Sequence, residues 1–516
     1  MKHALLVVLA ALLFPCALAA QSIVLINGKV FTTDPAKPWA EAVAIDGKKI
    51  TAVGTTDEIR AKANAKTRVI DLEGRVVIPG INDAHTHPGF GAPSFGLDLG
   101  FDPAWRDVQA ALASAVDETP ASMWITVTVG SAILSNPNVT AAHLEDVAPG
   151  RLVRLKGWTG HGEILSLAAM KALGVAADAK DPQGGWFDRD TDGRVNGRMW
   201  EYAQFAADRL YAEMATDEEL IDDYRQFAED ALRYGITSIQ AMPGVSDKRF
   251  ATTLAKARIP LRVRRIRFFD DAMTPAKGEP VKYILDGTPI EQNAALRVKY
   301  DTGRRESGRE NFANIEPFVK SAAENGQPLL LHATGDKTIE AALNTIAKYP
   351  ALQRPRIEHG DGLQRDLFPL VKQTGAVIVL NPSHFAFRDA FPDGQYAPAR
   401  SLVKAGLPIA IGSDGPLNPF LNMMFAIVRN DRGNRDEALS REETIVAYTR
   451  GSAYAEFAEK EKGTIAPGML ADLAVLSQNI FEVRADELPA TTSVLTIIDG
   501  KVVWSDLQEK PRPAAE

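Results

Sequence analysis

The stretch IPGINDAHTH, residues 78–87, carries the most information about the fold. Its apolar start predicts a buried β-strand, and residues i and i+2 of a strand point to the same face. His85 and His87 therefore present two imidazoles on one side of the strand and at one depth. Two imidazoles so placed can share a metal, although an isolated His-x-His is equally well a surface coincidence.

Seven further short β-branched runs predict strands that alternate with helical stretches. With the strand over 75–85 they make eight, the number of strands in a (β/α)₈ barrel. The runs cover residues 236–240, 261–267, 281–285, 328–332, 356–358, 376–380 and 407–412. About 150 residues separate the first strand from the second, which is more than a barrel loop needs. Residues of about 88–215 are therefore predicted to form an inserted subdomain over one face.

Short β segments with turn signals occupy both ends of the chain after residue 20. Asp46-Gly47 and Asp499-Gly500 are hairpin signals between apolar runs. Neither end is large enough to bury its own core, so residues 20–78 and 463–510 are predicted to pair into one composite β-sandwich. The predicted fold class is α/β: a (β/α)₈ TIM barrel over residues 79–462, the composite sandwich, and a large insertion after strand 1.

The composition is that of an ordinary globular protein. The chain has 516 residues, of which 45% are hydrophobic and 24% charged, so disorder, collagen and coiled coil are excluded. Lys and Arg total 58 against 66 Asp and Glu, and no basic run stands out, which makes nucleic acid and anionic membranes poor partners. The expected partner is a small-molecule substrate, and a homo-oligomer is compatible with the sequence.

The apolar stretch over residues 4–20 predicts a secretory signal peptide. It follows Lys2 and ends in Ala17-Leu18-Ala19. A membrane anchor is the competing interpretation, but the segment is short and no later run approaches membrane length. We predict cleavage after Ala19 and an exported protein, periplasmic or secreted. The only cysteine, Cys16, would be lost with the signal, which excludes disulfides, thiol catalysis and Cys-zinc sites.

Two more histidines end predicted strands, His332 in LLLH and His359 in RIEH, and the eighth strand runs into Asp414. A hydrogen-bonded core histidine or a helix cap explains each of these residues taken alone. Four histidines and an aspartate at the carboxyl ends of strands one, five, six and eight together predict a metal centre, at the end of a barrel where active sites lie.

Motif by motif, the chain resembles the amidohydrolase superfamily, in its branch called amidohydrolase family 3. The resemblance rests on the His-x-His strand and on VKYILDG (281–287), LLLHATGD (329–336), RIEHG (356–360), IGSDGP (411–416) and GTIAPGMLADLAVL (463–476). It implies a metal-dependent amidohydrolase, and it carries the family's metal ligands over to His85, His87, His332, His359 and Asp414. It further implies that Lys282 is carboxylated by carbon dioxide and bridges two divalent metals.

The residues themselves leave this bridge open. Lys282 starts the fourth strand, between the histidines of strands one and five, and a carbamate there would offer two oxygens to two cations. Alternatively, Lys282 is an ordinary exposed lysine. Glu201 or Lys156 would then bridge the two metals, or the site would hold a single metal. The divalent metal that we expect is zinc, one or two per chain, which would lower the pKa of a bound water.

Three further residues are predicted to contact the substrate. Trp158 and His161 lie in a glycine-rich turn that can bring backbone and ring close to a ligand. His384 follows the seventh strand at the same mouth of the barrel. Phe385 and Phe387, together with Trp158, indicate an apolar or aromatic group beside the scissile bond.

The predicted function is hydrolysis of an amide-type C–N bond, in an N-acyl, formamide or cyclic amide group, by metal-activated hydroxide. Asp414 is the predicted catalytic residue, which takes a proton from the water and delivers it to the leaving nitrogen. One alternative is an ester, lactone or nucleobase-like ring hydrolase on the same site. Another is a catalytically inactive exported protein that binds metal or solute, although such a protein has no chemical need for Asp414.

Overall fold

A computed structural model describes residues 22–89, 91–270, 275–300, 307–390, 396–429 and 434–507, without the side chains of 387–390. The predicted signal peptide with Cys16, and the side chain of Phe387, lie outside the described residues. Among the residues described, every helix is too short or too polar to cross a membrane.

Strands from both ends of the described chain share one six-stranded sheet, in which Val76–Pro79 pairs antiparallel with Leu473–Leu476. A four-stranded sheet beside it holds N-terminal strands alone, and Leu25, Val77 and Leu473 belong to one buried apolar cluster. The strands of the shared sheet are Lys29–Phe31, Trp39–Ala40, Val76–Pro79, Leu473–Leu476, Ser493–Ile498 and Lys501–Ser505, and those of the other are Ile23–Ile26, Ala42–Asp46, Lys49–Gly54 and Arg68–Asp71.

Parallel strands that alternate with helices form the central part of the protein. They are Ile81–Thr86, Ile236–Ala241, Arg262–Arg265, Arg267–Phe268, Val281–Ile284, Leu329–Ala333, Arg356–His359, Val377–Leu380 and Ile409–Ile411. The first three form one sheet and the last six another. Backbone hydrogen bonds join the two sheets at both edges, from Ile266 N to Ala241 O (2.8 Å) and from Asp414 N to His85 O (2.9 Å). The arrangement is a TIM-barrel-like α/β fold.

Two predicted strands are divided in the structure. The first divides at Gly80, so that Val76–Pro79 joins the shared terminal sheet and Ile81–Thr86 joins the parallel strands. A Cβ atom on residue 80 would overlap the side chain of Thr237, so the close approach of the second strand requires glycine there. The predicted third strand is interrupted at Ile266, which leaves two short strands in different sheets.

The helix Asp217–Arg233 shows how these sequences begin their helices. The Thr216 hydroxyl accepts a hydrogen bond from Glu219 N, and the Glu219 carboxylate accepts one from Thr216 N, which is a capping box. Leu220 and Tyr224, four residues apart, are buried on its inner face.

The helices of the described chain have the following bounds. The α-helices are Thr56–Arg60, Trp105–Glu118, Ser131–Leu134, Ala141–Val147, Leu167–Ala172, Tyr202–Ala212, Asp217–Arg233, Asp247–Ala257, Glu316–Asn325, Asp336–Ala347, Phe368–Thr374, Ala399–Lys404, Pro419–Val428, Arg441–Val446 and Ser452–Ala455. Shorter 3₁₀ segments cover Arg365–Leu367, Pro382–Ala390, Arg435–Glu437 and Ala485–Ala490, and a π-helical turn covers Ala447–Gly451.

The insertion folds around its own six-stranded sheet, formed by Ser94–Leu97, Trp124–Val129, Leu152–Gly157, Gly162–Leu165, Gly185–Arg189 and Val195–Glu201. Trp186 and Trp200 belong to its buried apolar cluster. At the end of its last strand Glu201 has a φ of 52°, and the chain passes directly into the helix Tyr202–Ala212. This turn carries the chain from the insertion to the ends of the parallel strands.

Candidate metal centre

Three histidines surround the carboxylate of Asp414. Its Oδ1 lies 3.1 Å from His87 Nε2 and 3.3 Å from His85 Nε2, and its Oδ2 lies 3.6 Å from His359 Nδ1. Ligand atoms of His85, His359 and Asp414 all lie within 4.8 Å of one another. Asp414 has a φ of 44°, in the left-handed region that Asp tolerates better than most residues. The donor atoms therefore converge on one point at the carboxyl ends of the strands.

Lys282 and His332 complete this group. Lys282 Nζ lies 2.8 Å from His85 Nε2, and the ring of His332 lies 4.4 Å from that of His359, measured between centroids. Both side chains are buried. The structure thus brings together all six predicted metal ligands, which are His85, His87, Lys282, His332, His359 and Asp414.

Two buried nitrogens of this group, His332 Nε2 and His359 Nδ1, have no hydrogen-bond partner in the described part of the chain. Leaving such an atom unsatisfied costs about 1–3 kcal/mol, which binding of a cation would offset. Burial lowers the pKa of both rings well below its ordinary value, so the rings are neutral and able to act as ligands. Neutral imidazoles with a carboxylate are a donor set that fits a divalent metal.

A buried ion pair orients His85 from the interior side. Glu358 Oε2 accepts a hydrogen bond from His85 Nδ1 at 2.5 Å, and its Oε1 accepts one from Arg356 Nε at 2.6 Å. Although burial opposes ionisation, Arg356 and His85 lower the pKa of Glu358 to about 2. His87 Nδ1 similarly donates to the Met242 carbonyl at 3.1 Å. Both histidines are thereby held with Nε2 towards the metal centre.

The amine of Lys282 is also altered by its surroundings. Burial lowers its pKa to about 8, despite the nearby carboxylates of Asp414 and Glu358. Its Nζ lies 5.2 Å from the centre of the Phe268 ring. A substantial fraction of this amine is therefore neutral near pH 8.

His384 lies on the other side of Asp414. Its Nδ1 is 3.2 Å from Asp361 Oδ2, and its Nε2 is 3.6 Å from Asp414 Oδ2. Although burial disfavours the cation, Asp361 and Asp414 raise the pKa of His384 to about 10. The imidazolium N–H groups can therefore donate hydrogen bonds beside the Asp414 carboxylate.

Glu201 and Lys156, the two alternative bridges, have other contacts. Glu201 Oε2 accepts a hydrogen bond from His161 Nδ1 at 2.9 Å, and the His161 ring lies 4.6 Å from that of His332. Lys156 Nζ lies 3.5 Å from Asp208 Oδ1. Lys282 is the member of this set that contacts a predicted metal ligand directly, through His85.

A cavity of about 860 Å³ opens over the metal centre. Trp158 and His161 line it, together with Phe205 and Phe268. Phe385 was expected to face the substrate, but it is buried and packs against Tyr396 and Arg429, because it lies on the inner side of the 3₁₀ helix after the seventh strand. That expectation for Phe385 is wrong, and the aromatic wall comes from other elements.

A model of the amidohydrolase family matches residues 68–504. The chain belongs to the amidohydrolase family. It is therefore a hydrolase, and the resemblance inferred from the motifs is confirmed.

Individual proteins resemble this amidohydrolase over most of its length. N-substituted formamide deformylase from Arthrobacter pascens is 24% identical over 541 residues, which cover 93% of this chain and 98% of that protein. An uncharacterized metal-dependent hydrolase from Pyrococcus horikoshii OT3 has a TM-score of 0.69 at 18% identity, over 91% of this chain and 100% of that one. Atrazine chlorohydrolase TrzN from Arthrobacter aurescens TC1, complexed with zinc, has a TM-score of 0.53 at 16% identity, over 94% and 95%. The two structures support the TIM-barrel-like fold.

Two functional residues of this amidohydrolase, Arg356 and Glu358, were not predicted from the sequence. Their signal is present in RIEH, because alternation puts Arg356 and Glu358 on one face of a buried strand, where an unpaired charge is costly. His359 should then face away from them. A φ of 70° at His359 ends the alternation, and the ring lies beside Asp414.

Proposed function

We propose that this amidohydrolase hydrolyses an amide-type C–N bond, in an N-acyl, formamide or cyclic amide group. The observation that carries the proposal concerns His332 Nε2 and His359 Nδ1, two buried nitrogens without a hydrogen-bond partner among the described residues. The centroids of the two rings lie 4.4 Å apart, and His359 Nδ1 lies 3.6 Å from Asp414 Oδ2. The likeness to a protein named N-substituted formamide deformylase supports an amide as the substrate.

One or two divalent cations, which we propose to be zinc, would be held by the six residues of the metal centre. Such a cation lowers the pKa of a bound water and polarises a carbonyl oxygen. Glu358 and the Met242 carbonyl fix the tautomers of His85 and His87, so that Nε2 of each ring carries a lone pair.

Asp414 would carry the proton. Its two oxygens face His87 on one side and His384 on the other, so a water and a leaving nitrogen can both reach the carboxylate. It accepts a proton from the attacking water and passes it to the leaving nitrogen. His384, held as a cation by Asp361, donates a hydrogen bond to the carbonyl oxygen as that oxygen gains negative charge.

We also propose that carbon dioxide carboxylates Lys282. The amine is buried, lies 2.8 Å from His85 Nε2 and faces the Phe268 ring, so a carbamate at this position would add two oxygens to the ligand set. Lys282→Ala should bind less metal and lose most activity, and bicarbonate during metal loading should raise the metal content of the unmodified protein. A variant that keeps full metal content and activity would exclude this role.

Elemental analysis and chelation test the proposed function. The purified protein should contain one or two divalent metals per chain, and it should lose hydrolysis of simple amides on chelation and regain it with zinc. His85→Ala should lower the metal content. The control is His143→Ala, since His143 is exposed and bonded to Thr140 away from the centre. A purified protein that contains no metal, and whose rate of amide hydrolysis is unchanged by a chelator, would refute the proposal.

For the architecture we propose a closed (β/α)₈ barrel with a composite β-sandwich from residues 20–78 and 463–510. The hydrogen bonds at both edges of the parallel sheets, and the apolar cluster shared by the terminal strands, support it. We further propose that residues 1–19 direct export to the periplasm or the medium. Amino-terminal sequencing of the secreted protein should begin at Ala20.

A further inference from the structure

We infer that the preferred substrate is an uncharged amide with an apolar, ring-sized group beside the scissile bond, and that an amide with a free carboxylate there is a poor substrate. This inference rests on the proposed function, because it concerns the substrate of the same site. It follows from the aromatic rings and the charges that line the cavity.

A continuous row of rings crosses the cavity wall. Phe268 stacks on His87 with ring centroids 5.7 Å apart, Phe205 lies 6.2 Å from Phe268, and His161 lies 5.7 Å from Phe205. Both phenylalanines are half-buried and line the cavity. A substrate held at Asp414 therefore meets a surface of aromatic carbon on this side, where an apolar group gains free energy by leaving water.

Each cation on the wall away from the metal centre is matched by an acid. Lys156 Nζ lies 3.5 Å from Asp208 Oδ1, and Arg209 forms an ion pair with Asp270. His161 is hydrogen-bonded to Glu201. To pair with one of these cations, a substrate carboxylate would have to displace the acid that is already bound to it. The substrate carboxylate and the displaced acid would then lie close together and repel each other.

One further carboxylate of the lining, Asp230, is outside these ion pairs and accepts a hydrogen bond from Gln226. Asp208, Asp230, Asp270 and Asp414 line the cavity, whereas the Lys and Arg side chains among the described lining residues are Lys156, Arg209 and Lys282. Lys282 belongs to the metal centre. A substrate carboxylate in the cavity is therefore repelled by these acids, which lowers the affinity for carboxylate-bearing amides relative to uncharged ones.

The mouth of the cavity is apolar as well. Trp158 lines it and meets the Phe101 ring at a centroid distance of 5.9 Å, and Phe101 is 66% exposed. The cavity volume of about 860 Å³ is ample for a phenyl group and an amide. Trp158 thus connects the cavity lining to an exposed aromatic ring.

A matched pair of substrates tests the inference. N-(2-phenylethyl)formamide and N-formylphenylalanine differ by the carboxylate alone, and N-methylformamide lacks the ring. With zinc-loaded protein, kcat/KM for the uncharged phenyl substrate should exceed that for either enantiomer of N-formylphenylalanine by on the order of 100-fold. It should exceed that for N-methylformamide by roughly 10- to 200-fold.

Two variants locate the effect. Phe268→Ala should lower kcat/KM for N-(2-phenylethyl)formamide by a larger factor than kcat/KM for N-methylformamide, so that the preference for the phenyl substrate shrinks. Phe268→Leu should keep most of that preference. Asp208→Asn should raise the relative rate on N-formylphenylalanine by roughly tenfold, because it removes a carboxylate that is paired with Lys156. Asp208 is also paired with the buried Arg154, so the stability of this variant is measured as well. Metal content measured for each variant separates these effects from damage to the metal centre.

Isothermal titration calorimetry with N-(2-phenylethyl)formamide and N-formylphenylalanine separates this inference about the substrate from the proposed hydrolytic function. Tighter binding of the uncharged amide supports the inference even if neither compound is hydrolysed, an outcome that would count against the proposed function instead. Equal or faster turnover of N-formylphenylalanine, or its tighter binding, would overturn the inference and leave the amidohydrolase reaction standing.

Discussion

Two buried polar clusters lie close to the cavity, and they differ in how their charges are matched. In the insertion, Arg154 donates from Nε and Nη2 to the two oxygens of Glu163, both at 2.8 Å, and it also bonds to Asp208. Its guanidinium lies 4.0 Å from the centre of the Tyr211 ring. In the metal centre, by contrast, His332 and His359 each keep a buried nitrogen without a hydrogen-bond partner among the described atoms.

Burial of charge therefore does not by itself identify a functional site. The insertion cluster neutralises itself, with base and acid paired in a bidentate geometry. The metal centre instead collects donor atoms that face one another, with left-handed backbone at His359 and Asp414. Such strain persists where the surrounding structure holds it, and it is concentrated at functional sites. The facing donor atoms and the left-handed backbone distinguish the candidate metal centre from the paired charges of the insertion cluster.

The largest expected effect separates binding from catalysis within the metal centre. Asp414→Asn keeps the size and one oxygen ligand but cannot accept a proton, so turnover should fall by roughly 10²–10⁴-fold with much of the metal retained. Steady-state kinetics at saturating zinc, with elemental analysis, measure both. Turnover within a few-fold of the unmodified protein would exclude Asp414 as the proton carrier, and His384 or His161 would be tested next.

The insertion cluster should respond in the opposite way. Glu163→Ala leaves the buried Arg154 with Asp208 as its remaining carboxylate, so the free energy of unfolding should fall by about 3 kcal/mol. The folded variant should retain its full metal content. Urea unfolding gives the stability, and Glu482→Ala, at an exposed ion pair with Lys29, is the matched control. If Glu163→Ala loses metal while its free energy of unfolding is unchanged, the insertion cluster serves metal binding and not stability, contrary to this prediction.

A smaller effect is expected one step away from the ligands. Glu358→Gln removes the carboxylate that orients His85, so metal affinity should weaken by roughly 10- to 100-fold. Competition with a chelator of known affinity measures it. If the affinity for metal is unchanged, the ion pair of Arg356 and Glu358 stabilises the fold, as the insertion cluster does, and does not contribute to metal binding. The difference between the two clusters would then be confined to the metal ligands.

The sequence predicted the parts of the site that depend on simple periodicity. A period of two puts His85 and His87 on one side, and strands that stop on His332 and His359 place both at the same end. It could not predict the break at Gly80, because an apolar run does not show which sheet it will join. It could not distinguish Phe385 in the core from Phe268 at the cavity, because both follow predicted strands. Which of the two side chains faces the cavity depends on packing against elements that are distant in the sequence.

The shared terminal sheet cannot finish folding until the carboxyl-terminal strands have been synthesised. Leu473–Leu476 lies between Val76–Pro79 and Ser493–Ile498 in that sheet. About 400 residues therefore separate the strand that leads into His85 from its neighbour, and pairings of such separation form slowly. A chain still emerging from the ribosome has an unpaired strand edge at Val76–Pro79 until its last segment arrives. A translation arrest before residue 473 should therefore yield a nascent chain that a protease cleaves readily.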